Sequence, residues 1–217
     1  MLVKILIGVA SVLVLFAAVV ATRPSTYHVE RKLEVAAPAD LVFGVLDDLH
    51  QFVGVLVLFG SPWEKLDPNM QKTFEGPAAG VGQSYAWSGN KEVGKGKMTI
   101  EESVPGQKVG MKLEFVKPMA STATCALTLA GTPTGSFVTW SMDGNHNFIG
   151  KAFGMLMDMD KMLGADIEKG LARLKTVAEG KQVAIAAAGA AQADADKAGA
   201  EEAAKTAAAT PVKGKKK

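Results

Sequence analysis

Cysteine is almost missing from this chain: Cys125 is the single one in 217 residues. No intrachain disulfide can form, and the thiol and the three histidines fall at no spacing that would hold a metal. Nor is there a serine–histidine–acid order for nucleophilic catalysis or a glycine-rich loop of the phosphate-cradling kind. Gly94-Lys95-Gly96-Lys97 reads as a hairpin edge. No metal and no cofactor is implied. An excess of positive charge over the centre of the chain is missing too. Residues 22–180 carry 16 Lys and Arg against 18 Asp and Glu, so the formal charge of +2 comes from Lys4 and from the last 37 residues. A slightly acidic centre argues against nucleic acid as a partner.

What the sequence does have is apolar surface, first of all at its start. Residues 5–21 contain Ser11 as their one polar side chain and are bracketed by Lys4 and Arg23. At about 1.5 Å per residue, with Leu2 and Val3 added, the run is long enough for a short transmembrane helix. We expect residues 1–23 to be a single-pass anchor. The alternative is a cleaved signal peptide leaving after Val19-Val20-Ala21, and the orientation stays open because Lys4 competes with Arg23, Arg31 and Lys32. At the other end, residues 181–217 hold 15 alanines and seven lysines and few large apolar residues. Their expected state is a disordered tail, with partial helix up to Ala209 as the alternative. The lysines of 213–217 would favour an anionic surface.

Between these ends, residues 24–180 alternate in a pattern that predicts an α+β fold. A strand is expected over 27–35 and a helix from Pro38 to about Asp48. The nearly uncharged segment 50–60, containing two glycines, reads as a short helix or an apolar flap closed by Ser61-Pro62-Trp63. Six strands follow, near 70–75, 83–88, 94–104, 108–116, 121–130 and 136–144, with Gly-Asn, Pro-Gly and Gly-Thr-Pro-Thr-Gly turns between them. Residues 147–178 have the longest 3.6-residue apolar period, carried by Ile149, Phe153, Leu156, Leu163, Ile167, Leu171 and Leu174. Met155, Met157, Met159 and Met162 widen its first half into a soft face suited to a cavity wall. About seven antiparallel strands would curve around this helix and grip it, leaving a tunnel between sheet and helix.

The element order, the opening Val35-Ala36-Ala37-Pro38-Ala39 and Ser61-Pro62-Trp63-Glu64 resemble the START-like helix-grip superfamily (SRPBCC, polyketide cyclase/dehydrase-type). Further motifs are similar to a bacterial membrane-anchored branch of it. They are Pro62-Trp63-Glu64-Lys65-Leu66-Asp67-Pro68, Glu75-Gly76-Pro77, Val81-Gly82, Tyr85-Ala86-Trp87-Ser88-Gly89-Asn90, Val93-Gly94-Lys95-Gly96 and Met157-Asp158-Met159-Asp160-Lys161-Met162. The resemblance implies an apolar ligand held between sheet and helix, catalysis in some members only, and a bacterial inner membrane as the location. Relatives carry a shorter, tryptophan-containing segment where this chain has 52–60.

The candidate ligand wall follows from strand and helix phase. Trp63, Tyr85 and Trp87 offer flat rings for a sterol, quinone or polyketide-like molecule. Met98, Ile100, Met111, Leu113 and Phe115 alternate inward on two strands. Phe153, Leu156, Met159, Asp160 and Leu163 lie along the helix stripe. Asp160, extrapolated onto that stripe, is the candidate general base with a raised pKa, with His146 as a possible partner. Three functions stay open: a membrane-anchored carrier of an apolar small molecule or lipid, a cyclase/dehydratase-type enzyme using Asp160 with a histidine, and a membrane-tethered domain that binds a protein partner through 52–60.

Overall fold

Strand alternation builds the sheet almost as expected. In a computed structural model of the chain, β1 spans Thr26–Val35, β4 Gln71–Glu75, β5 Ser84–Ser88, β6 Lys95–Val104, β7 Lys108–Lys117, β8 Ser121–Thr132 and β9 Gly135–Asn145. The structure describes every residue except Phe59, His146, Asn147, Met157 and 209–217, and every side chain among them except those of Phe153, Leu156, Met159, Asp194 and 198–208. The seven strands form one antiparallel sheet, in the order β1-β9-β8-β7-β6-β5-β4. Its register sets out cross-strand rows. One runs Phe74–Tyr85–Met98–Leu113–Ala123–Gly144–Tyr27 across all seven strands. The next runs Ile100–Met111–Cys125–Met142–Val29. These are the inward-facing residues of a sheet buried on one face.

Residues 148–208 form two helices where one was expected. α5 spans Phe148–Leu156 and α6 spans Met159–Ala208. Asp158 accounts for the second start: its carboxylate accepts the Lys161 N–H at 3.2 Å, as an N-cap does. On α6, Ile167, Leu171, Leu174 and Ala178 recur at helical spacing and are buried in the same cluster as the sheet rows. Each fully buried large side chain contributes about 1.5–3 kcal/mol. Gly170 makes the approach close, since a Cβ there would meet the Trp140 ring at 2.7 Å.

Two compact units divide the chain, Met1–Ala178 and Glu179–Lys217. α6 is bounded at Ala208 and so takes in residues 181–208. Alanine, the strongest helix former, outweighs the lack of a face to bury.

The connection between β1 and β4 is short helices and a hairpin. α2 spans Ala39–Leu46, α3 Leu49–Phe52, β2 Val57–Leu58, β3 Ser61–Pro62 and α4 Trp63–Leu66. Phe52, Val53, Val55 and Leu56 point into the core, at most 8% exposed. The segment is strapped to α6 from two places: Arg173 Nε donates to the Gly54 carbonyl at 2.9 Å, and Gly60 N–H donates to Asp166 at 2.7 Å. Val57 and Leu58 on β2 are half-buried. Phe52, Val53, Val55 and Leu56 close the domain's own core, Leu58 packs against it, and Phe59 lies outside the described residues.

α1, Leu2–Ala21, is long and apolar enough to cross a membrane. Its residues are exposed up to Val19, whereas Val20 is buried, and it packs on α5.

Candidate ligand site

A file of aromatic rings lines one end of the inner face. His50 stacks on Phe74 with centroids 4.0 Å apart, Phe74 meets Tyr85 at 5.1 Å, and Tyr85 stacks with Trp87 at 5.9 Å. Trp87 receives Trp63 edge-on at 4.8 Å and Phe115 edge-on at 5.8 Å. The sequence puts them there by phase: Tyr85 and Trp87 share a face of β5, and Trp87 stands opposite Gly96, which stands opposite Phe115. Gly96 leaves the Trp87 indole its place. A Cβ there would run into that ring and into the Glu114 carbonyl.

Of the expected wall, Trp63, Tyr85, Trp87, Met98, Ile100, Met111 and Leu113 are buried in one contiguous cluster, with Phe115 and Leu163 half-buried against it. The expected Phe153, Leu156 and Met159 lie outside the described side chains, and His146 lies outside the described residues.

Trp63, Tyr85 and Trp87 each bring one polar side-chain atom to this wall. Trp87 Nε1 donates to the Val93 carbonyl at 3.3 Å. Burial, aided by the charge of Glu64, pushes the Tyr85 phenol up to about 12, so it stays a neutral donor. Trp63 Nε1 is buried and has no hydrogen-bond partner among the described residues. The buried Trp140 Nε1 also lacks a formed bond, but it approaches the Cys125 thiol. Burial pushes that thiol up to about 12, and the indole N–H counters part of the rise.

Asp160 is not part of this wall. Its side chain is 59% exposed and grips Arg31, Oδ2 at 2.9 Å from Nη2 and Oδ1 at 3.1 Å from Nη1. An unbroken stripe through 147–178 would face Asp160 inward, and the restart of the helix at Met159 turns it outward. The hydrogen bond from Arg31 leads in holding this carboxyl below the ordinary range, opposite to the shift a general base at neutral pH requires.

Three residues that matter here were not picked out from the sequence. Arg31 lies in phase with Val29 and Leu33 on β1, and a cation in an apolar phase was the available signal. It also holds Glu168 on α6 at 2.7 Å. Gly164, between the two acids on α6, gives its guanidinium room. Gln83 is fully buried. Its Oε1 accepts Leu49 N–H at 2.7 Å and its Nε2 donates to the Ala78 carbonyl at 2.8 Å, tying α3 to the sheet. A lone glutamine before a strand carries no sequence signal for this.

The profile of the family described as "Polyketide cyclase / dehydrase and lipid transport" matches residues 26–179. The chain belongs to this family. Its domain is therefore a START-like (SRPBCC) helix-grip domain, a class of hydrophobic-ligand-binding and cyclase-type folds, and the expected superfamily and fold stand. Among solved structures, the di-domain aromatase/cyclase StfQ of the steffimycin biosynthetic pathway aligns at 16% identity and TM-score 0.52, over 73% of this chain and 52% of that one. The KanY protein aligns at 14% and 0.52, over 72% and 99%. A structural-genomics protein from Chromobacterium violaceum aligns at 17% and 0.50, over 72% and 99%. At these identities the likeness is one of fold. No functionally curated protein matches the chain.

Proposed function

We propose that this SRPBCC domain is a carrier for a flat, apolar small molecule bearing a hydrogen-bond acceptor, held at a membrane by α1. The observation that supports it is the buried Trp63 Nε1 at the end of the aromatic file. A buried donor left unbonded costs about 1–3 kcal/mol, which a ligand carbonyl or ether would recover. Rings packed on Trp63 and Trp87 would supply area, and the one acceptor would supply orientation. A quinone or polyketide-like ring matches this chemistry better than a saturated chain. The exposed Arg31–Asp160 pair gives no support to a cyclase built on Asp160. Residues 1–23 are the anchor, 24–180 the carrier domain, and 181–217 a solubilising extension.

The test is native mass spectrometry of the full chain released from membranes in polymer-bounded lipid discs, with organic extraction of the same sample. The expected result is one defined apolar ring compound per chain, depleted in Trp63→Phe. A folded chain that carries no such compound and takes up no menadione contradicts the proposal.

A further inference from the structure

The end of the sheet nearest α1 carries a second arrangement that the ligand site does not use. Four residues, Thr22 to Ser25, separate α1 from β1, and the N–H groups of Thr22 and Arg23 bond back onto α1, to the carbonyls of Ala18 and Val20. The start of β1 is thereby held at the end of α1. In an antiparallel sheet this fixes which end of every strand lies on that side: the start of β8, the end of β7, the start of β6 and the end of β5. Ser121 pairs with Phe115, one register step beyond Thr26↔Asn145, and β7 runs on for two residues to Lys117. With strands about 4.8 Å apart, Lys117 lies three strand steps, about 14 Å, from β1.

At this end the surface is apolar and basic together. Val116 and Met119 are 53% and 47% exposed on and after β7. Phe148 and Ile149, at the start of α5 beside α1, are 51% and 63% exposed. Lys91, Lys95 and Lys117 border an open groove of about 740 Å³ between the β5–β6 turn and Pro118, with no ion partner among the described residues. Glu92 is the one acid in that turn. Greasy side chains ringed by lysines are the pattern of a surface that enters the headgroup layer of an anionic bilayer.

We infer that the Lys91, Lys95 and Lys117 end of the sheet, led by Val116 and Met119, docks on the anionic phospholipid surface of the membrane that α1 spans. The inference rests on α1 being an anchor, as proposed above. Docking would hold the domain against the bilayer instead of leaving it to swing on its short connection. Each lysine near an anionic surface is worth about fivefold in partition.

The full chain with Cys125→Ala is reconstituted in lipid nanodiscs with or without phosphatidylglycerol, and nitroxide labels are placed singly at Met119→Cys, Thr134→Cys and Val12→Cys. Thr134 belongs to the β8–β9 turn at the far end of the sheet. The collision rates with oxygen and with a water-soluble nickel complex are read. Expected are lipid-like values at Val12, water-like values at Thr134, and values at Met119 that turn lipid-like when phosphatidylglycerol is present. The triple variant Lys91→Gln, Lys95→Gln, Lys117→Gln would reverse that change. Water-like values at Met119 in both lipids, with Val12 in lipid, overturn the docking and leave the anchor standing. Water-like values at Val12 overturn both.

Discussion

The guanidinium of Arg31 occupies the place where a side chain at Gly164 would begin. That is how one strand cation reaches two acids on one face of α6, Asp160 and Glu168, eight residues apart. A glycine inside a helix costs about 0.8–1 kcal/mol against alanine, and here it is retained where the strand and helix are clamped. Exposed ion pairs are worth about 0–1 kcal/mol each. The two effects therefore nearly cancel. Gly164→Ala is expected to leave thermal stability almost unchanged in the native background and to raise it by about 1 kcal/mol in Arg31→Ala. Equal stabilisation in both backgrounds would show that the guanidinium does not depend on the glycine.

Acid should undo the same clamp. Asp160 is held below its ordinary pKa, chiefly by the Arg31 hydrogen bond. For Asp48, burial pushes upward, but hydrogen bonds from Gln51, from His50 N–H and from Gln83 outweigh it and the net shift is downward. A depressed folded-state pKa contributes stability that is complete above the unfolded value of about 3.9 and is lost as pH falls through the folded one. Asp160→Asn should therefore melt lower than the native chain at pH 7, and the gap should close below about pH 4. A gap of constant size at pH 2 would mean the ion pair is not its source.

Gln83 should be far less tolerant. Gln83→Met keeps the volume but leaves the Leu49 N–H and the Ala78 carbonyl without their partner. Each buried unsatisfied group costs about 1–3 kcal/mol, so a loss of about 2–4 kcal/mol is expected in denaturant unfolding. A loss below about 1 kcal/mol would mean water replaces the amide.

The thiol offers a probe of opening. Buried, and with its pKa pushed up to about 12, Cys125 should react with aromatic disulfide reagents only through transient unfolding of the sheet. The labelling rate should rise in step with urea from the lowest concentrations. Rapid labelling in native buffer would place Cys125 at the surface.

Much of the fold was readable because alternation and turn chemistry are local. All seven strands of the sheet start within one residue of where their apolar alternation begins, and the glycine and proline turns fall between them. The long helix was misread for the same reason. Periodicity carries across Met157-Asp158, but the Asp158 carboxylate on Lys161 N–H marks a new start, and phase extended past it put Asp160 on the wrong side. The aromatic file was legible as residues, through the shared parity of Tyr85 and Trp87. The missing acceptor at Trp63 was not, because it depends on what the rest of the chain does not bring to Nε1. Arg31 and Gln83 were lost for a related reason: each acts through a partner more than 30 positions away.

The most direct measurement of the carrier account is the indole region of the ¹⁵N-labelled full chain, which has three tryptophans and so three signals. Menadione and naphthalene, of similar shape, differ in having carbonyl acceptors. Menadione is expected to shift the Trp63 Nε1–H signal downfield, slow its exchange with solvent and bind about tenfold more tightly than naphthalene, the worth of one buried hydrogen bond. The Trp87 Nε1–H, already bonded to Val93, should keep its exchange rate with solvent even where the packed ring shifts its signal. An unmoved Trp63 signal, with both compounds bound equally or not at all, would contradict the account.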